Sequence, residues 1–278
     1  MSPVRVALIR ADDHHHRYLE SLLRSRFDVR LVVVEPGSEK ARRMRERRRY
    51  RDYVYHVYHD WRRQLTGKDR YRRRYFTHAP WLWERPATNV VRVRSVNEER
   101  GVTALTETAA DVTVIIGCSI LGKRVLQAAG PLIINVHGGY LPYYRGNHCI
   151  FFAVYDGRLD RVGSTIHAVD AGIDTGGLIE VVRPPLTGRE LPEHLYCRAD
   201  MLAIHRLAGW LEALERGEDL PFTPQPTVGR TYRTRDRGLS HDLRYVGRRW
   251  MRRLGLQVPV MPAVDDRHNT ELITEGAP

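Results

Sequence analysis

Short apolar runs set the strongest limit on what this chain can fold into. Residues 4–9, 29–34, 112–116 and 132–134 are dominated by Val, Ile, Leu and Ala, and runs of this length read as strands buried in a sheet. Residues 14–26, between the first two runs, carry Leu19, Leu22 and Leu23 at helical spacing, with Asp12 or Asp13 placed to cap them. Strand, helix and strand in this order form a right-handed crossover, the unit of a parallel sheet. Further along, 90–93, 163–169 and 178–182 read as strands, while 97–108, 122–129, 147–155 and 191–215 read as helices. The expected fold is α/β: an open, mostly parallel sheet with helices on both faces. The loop after the first strand lacks the Gly-x-Gly-x-x-Gly fingerprint, which argues against a dinucleotide site.

Residues 135–177 hold the candidate chemistry. Asn135 and His137 follow the run 132–134 directly, and the period of two in a strand puts both on one face. A polar pair leaving a buried strand sits where open α/β sheets bind ligands. The chain then turns at Gly138-Gly139 and Pro142. A second polar loop, 170–177, follows another apolar segment and can converge on the same mouth. Asn, His and Asp on two loops suit acyl transfer, as oxyanion donor, acid/base and orienting group.

Asn135-x-His137, Leu141-Pro142, Arg145-Gly146 and Asp170-Ala171-Gly172-Ile173-Asp174-Thr175-Gly176 resemble, in order and spacing, the folate-dependent formyltransferase family. That family includes glycinamide ribonucleotide transformylase, methionyl-tRNA formyltransferase and sugar N-formyltransferases. The resemblance extends more weakly from residue 4 to about residue 215, and it implies a formyltransferase-like variant of the Rossmann fold. It also implies 10-formyltetrahydrofolate as donor and a primary amine as acceptor. Asn135 would donate to the developing oxyanion, His137 would stabilise it and move a proton, and Asp174 would orient His137 and organise a relay water. Asp170 is the weaker acidic candidate. By the same resemblance Cys118, Ser119 and Leu121 flank the folate ring on one side, and Val169, Ala171 and Ile173 on the other. Gly138-Gly139-Tyr140 departs from the Pro-Ser-Leu of many members, an expected loosening of the loop.

Two segments fall outside the pattern. Residues 39–85 form a basic, aromatic insertion, in which Tyr50, Tyr53, Val54, Val57, Tyr58 and Trp61 predict one amphipathic helix. Its aromatics are expected to pack on the sheet and its arginines to face solvent, and 80–86 is a Trp-rich loop. Residues 221–278 form a basic extension with one helix near 242–254, its last fifteen or so residues disordered, too short for the β-barrel of tRNA-directed relatives. Residues 1–220 are then the catalytic domain. The +12 net charge is assigned to coding bias and an anionic small substrate in preference to nucleic acid. His14-His15-His16 spreads over different helix faces, so no metal site is expected there.

Three separated cysteines, no apolar signal stretch and no long apolar run point to the cytoplasm and away from membranes. The expected function is N-formylation of a small amine, a nucleotide-linked amino sugar or a specialised-metabolite intermediate, by a protein whose homodimerisation stays open. The alternatives are 10-formyltetrahydrofolate hydrolysis, methionyl-tRNA formylation and non-enzymatic RNA binding.

Overall fold

A computed structural model describes residues 3–77, 89–187 and 190–255. The apolar runs become strands β1 (Arg5–Arg10), β2 (Asp28–Val34), β4 (Val112–Ile116) and β5 (Leu132–His137), joined by the short β3 (Val90–Arg92). With β7 (Ser164–Ala168) and β8 (Leu178–Val182) they form one seven-stranded sheet in the order β3-β2-β1-β4-β5-β7-β8. Strands β1 to β5 pair in parallel, and β7 and β8 join antiparallel.

Alternation along each strand feeds two cores. Val6, Leu8, Val114 and Ile134 pack on one face against α1 (His14–Arg26) and α8 (Pro192–Glu215). Ala7, Ile9, Ile115 and Ile133 pack on the other, against α5 (Glu99–Thr108) and α6 (Lys123–Ala128). Helices on both faces explain why these strands are apolar throughout. Helix α1 begins where the sequence placed its cap: the Asp13 carboxylate accepts from the His14 N–H at 2.7 Å. The sheet runs outward from β1 in one direction and from β4 in the other, so the loops after these two strands diverge and open a crevice.

The basic insertion differs from expectation. It forms three helices, α2 (Gly37–Glu46), α3 (Tyr50–Leu65) and α4 (Lys68–Phe76), rather than one. Gly67, in the left-handed region at φ +67°, turns the chain from α3 into α4. On α3 the apolar stripe faces outward: Tyr50, Val54, Val57, Trp61 and Leu65 are exposed, while His59 and Arg62 are buried. Only α4 packs as expected, setting Tyr71, Tyr75 and Phe76 against the sheet core. Helical periodicity identifies an apolar face, but the polar face went inward here because it meets a charged cavity. The Trp-rich loop 80–86 lies outside the described residues.

In the extension, α9 (Leu239–Arg253) carries a similar exposed stripe of Leu239, Leu243, Val246, Trp250 and Leu254. Ahead of it, β9 (Arg230–Tyr232) pairs in parallel with β6 (Tyr144–Gly146), between the catalytic strand and α7 (Cys149–Tyr155). Residues 256–278, expected to end in disorder, fall outside the described residues.

Candidate active site

Strand β5 delivers Asn135 and His137 to the rim of the crevice, and the loop between β7 and β8 brings Asp174 to meet them. The His137 Nδ1 lies 3.5 Å from the Asp174 carboxylate, and its Nε2 lies 3.0 Å from the Tyr144 carbonyl. Both ring nitrogens of His137 thus face an acceptor oxygen. The Asn135 Nδ2 sits 3.4 Å from the other Asp174 oxygen and 3.1 Å from the His167 Nε2. His167 stands directly across the β5–β7 ladder from Asn135. Its Nδ1 lies 2.6 Å from the Ala168 carbonyl, and its Nε2 also lies 3.7 Å from the Asp174 carboxylate.

Asp174 is held in the left-handed region at φ +54°, an uncommon conformation for a non-glycine residue. Three neighbours hold it there. The Gly146 N–H donates to its carboxylate at 2.8 Å, and Gln225 and Arg145 donate to its carbonyl at 3.0 and 3.4 Å. Burial alone would raise this carboxyl, but the His137 and His167 rings and the Gly146 N–H outweigh it and hold the group well below the usual carboxylate range. Asp170 has a different task, accepting from the Gly172 N–H at 2.9 Å and the Thr175 hydroxyl at 2.6 Å to fold the turn. Of the two acidic residues, Asp174 faces the histidines and Asp170 shapes the loop.

The Gly138-Gly139-Tyr140 loop is tight rather than loose. A Cβ on Gly139 would come within 2.5 Å of the His137 Nε2, 2.6 Å of the Cys149 Cβ and 2.7 Å of the Tyr144 carbonyl. The absence of a side chain therefore lets the His137 ring lie against this turn.

Around these residues opens a cavity of about 1050 Å³. Cys118, Ser119, Leu121, Val169, Ala171 and Ile173 all line it beside Asn135, His137 and Asp174. Leu121, Val169 and Ile173 give apolar walls on two facing loops, a slot whose chemistry fits a flat heteroaromatic ring. Ser119 is engaged through its hydroxyl, which donates to the buried Glu35 and accepts from Arg43 at 3.2 Å. Burial beside Glu35 pushes the Cys118 thiol up to about 12, which suits a wall residue and not a nucleophile. Gly117, at φ +65°, lets the His16 ring fill the place of a side chain.

Sequence reasoning missed several cavity residues. His167 gives no local signal, because its partner Asn135 is reached only through strand register. Glu35 reads as the polar end of an apolar run. Arg72, Glu193 and Tyr196 also line the cavity, beside His15 and His16 of the histidine run. There the Arg72 guanidinium donates to Glu193 at 2.9 Å and also pairs with Asp13.

Comparison with known proteins places the chain by sequence and by fold. The chain is 34% identical over 129 residues to a methionyl-tRNA formyltransferase of Paraburkholderia phymatum, covering 46% of this chain and 39% of that protein. It is 36% identical over 124 residues to one of Chromohalobacter salexigens, covering 44% and 38%. The match thus spans about two fifths of the length of these curated relatives. In fold, a phosphoribosylglycinamide formyltransferase from Anaplasma phagocytophilum superposes with a TM-score of 0.55 at 16% identity, covering 84% of this chain and all of that one. A sugar N-formyltransferase from a Shewanella species gives 0.53 at 14% identity, covering 82% and 76%. The family model described as formyl transferase matches residues 6–207, which hold every candidate residue named above except Gln225, and on that match the chain belongs to the formyl transferase family.

Proposed function

We propose that this protein is an N-formyltransferase that moves a formyl group from 10-formyltetrahydrofolate to the primary amine of a small, anionic acceptor in the cytoplasm. A nucleotide-linked amino sugar or a specialised-metabolite intermediate is the acceptor class. Residues 1–220 carry the catalysis in this reading, and 221–278 extend it. The observation that carries it is the convergence of Asn135, His137 and Asp174 at one cavity mouth. The donor supplies the formyl carbon, with its ring between the Cys118-Ser119-Leu121 loop and the Val169-Ala171-Ile173 loop. Asn135 turns one N–H toward the formyl oxygen as charge develops there. His137, held between Asp174 and the Tyr144 carbonyl, gives that oxygen a second positive neighbour. Asp174 stays ionised and positions a water that carries the amine proton away. No side chain is acylated.

The test is tetrahydrofolate release from 10-formyltetrahydrofolate in the presence of amine panels, followed by product mass. The His137→Ala and Asp174→Ala variants should each lose at least about a hundredfold in turnover. Near-normal rates in either one refute the assignment. A second reading, formylation of methionyl-tRNA, is favoured by the curated sequence relatives and the +12 net charge. It predicts formylated methionyl-tRNA as product and no turnover with small amines.

A further inference from the structure

The cavity continues away from Asn135 into a chamber walled by the insertion and the extension. Arg62 of α3, Lys68 and Arg72 of α4, and Arg237 ahead of α9 all line it, with His148 between β6 and α7. Arg62, Arg72 and Arg237 are buried, at 8%, 9% and 4% exposure. Two carboxylates hold these cations close together. Asp242 lies 3.5 Å from Arg62 and 2.5 Å from Arg237, and Glu193 lies 3.3 Å from Lys68 and 2.7 Å from Arg72.

The carboxylates do not use up the donors. The His148 Nε2 has no hydrogen-bond partner among the described residues, and the buried Arg62 Nε, though 3.5 Å from Asp242, makes no hydrogen bond to it. His148 sits at φ +60°, in the left-handed region, and its ring lies 4.4 Å from that of His59. Strained backbone and orphaned donors around one chamber are features that persist where a ligand completes the site. Electrostatics agree. Burial and the neighbouring guanidiniums bring Lys68 down to about 8 and Arg237 to about 10, and hold His148 well below the usual imidazole range. Glu193 and Asp242 offset only part of this repulsion, since Lys68 and Arg237 stay lowered beside them, and a bound anion would relieve more of it.

The geometry points to a phosphoryl-binding subsite, in which Arg62, Lys68, Arg237 and His148 hold a phosphate group carried by the amine acceptor. Donors arrive from α3, from α4, from the segment before α9 and from the β6–α7 turn, so they surround an occupant. A phosphoryl group brings a charge of about −2 and three acceptor oxygens, which suits several cationic donors on different elements. The role of this chamber as the acceptor's far end rests on the formyl-transfer reading; its affinity for phosphate does not.

The test is calorimetric titration of the full chain with inorganic phosphate and pyrophosphate, and separately with 5-formyltetrahydrofolate as a stable folate probe. Wild type should bind pyrophosphate, more weakly at higher salt. Lys68→Met and Arg62→Gln should each weaken it at least tenfold, with Lys68→Arg retaining most of the affinity. Folate-probe affinity should stay within about twofold in all three, which also shows that they fold. Pyrophosphate binding that is absent in wild type, or unchanged in the folded variants, overturns the subsite. Pyrophosphate binding without any folate-probe binding upholds the subsite and refutes formyl transfer.

Discussion

Replacing Lys68 by Met should make the protein more stable at neutral pH, although it deletes an ion pair. The Lys68 ammonium is largely buried at the Arg62–Arg237 wall, and Glu193, 3.3 Å away, is its one close carboxylate among the described residues. Burial first, and the two guanidiniums after it, lower its proton affinity from 10.5 to about 8 despite Glu193. At 1.36 kcal/mol per pKa unit, the charged form is disfavoured in the folded protein by about 3 kcal/mol.

Glu193 keeps the two nitrogens of Arg72 on one oxygen at 2.9 and 2.7 Å, so its charge stays paired although its other oxygen loses the Lys68 contact. Met fills the volume of the lysine stem with imperfect packing, which leaves a net gain of about 1–3 kcal/mol. That corresponds to a Tm increase of roughly 2–10 °C. The sign with pH follows from linkage. A lysine whose folded pKa is depressed destabilises fully below about pH 8, and this destabilisation disappears between there and the unfolded value of 10.5. Thermal denaturation of both proteins at pH 7, 8.5 and 10 measures it, and the advantage of Lys68→Met should shrink steadily across the series. A variant that is less stable at pH 7, or a difference independent of pH, refutes the reasoning.

Two glycines make contrasting predictions. Gly139→Ala drives a methyl into the His137 ring, Cys149 and the Tyr144 carbonyl. It should cost about 1–3 kcal/mol in denaturant unfolding, and displacing His137 should lower kcat about a hundredfold. Gly209, inside α8, has open space where a Cβ would stand. Gly209→Ala should therefore stabilise by roughly 0.5–1 kcal/mol and leave turnover unchanged, as a Tm and a rate measured together will show.

The parts of this fold that could be read in advance were those with local signals. Apolar runs announced the strands, and the Asp13 cap and the Leu19-Leu22-Leu23 stripe announced α1. Asn135 and His137 were legible because a period of two puts them on one face, and Asp174 because its Asp-Thr-Gly turn resembles the family pattern. His167 was not, since it acquires its role only through the antiparallel register between β5 and β7. The insertion misled for a physical reason. The stripe from Tyr50 to Leu65 predicted a helix correctly, but hydrophobicity chose the wrong face for burial, because Arg62 and His59 are drawn inward by Asp242 and the Thr234 carbonyl. Strands β6 and β9 gave no signal at all, each being three residues long.

That small ladder also imposes an order of assembly. Arg145, beside Asp174, is bonded to the Val228 carbonyl 83 residues later, and Gln225 anchors both the Asp174 and Gly176 carbonyls. The closure entropy of so long a loop is met late, after the local crossovers of the sheet have formed. On a ribosome adding about 5–20 residues per second, the sheet can assemble while these anchors are still being synthesised. The crevice of the sheet can therefore stand before Asp174 is fixed, and the site is completed late in folding.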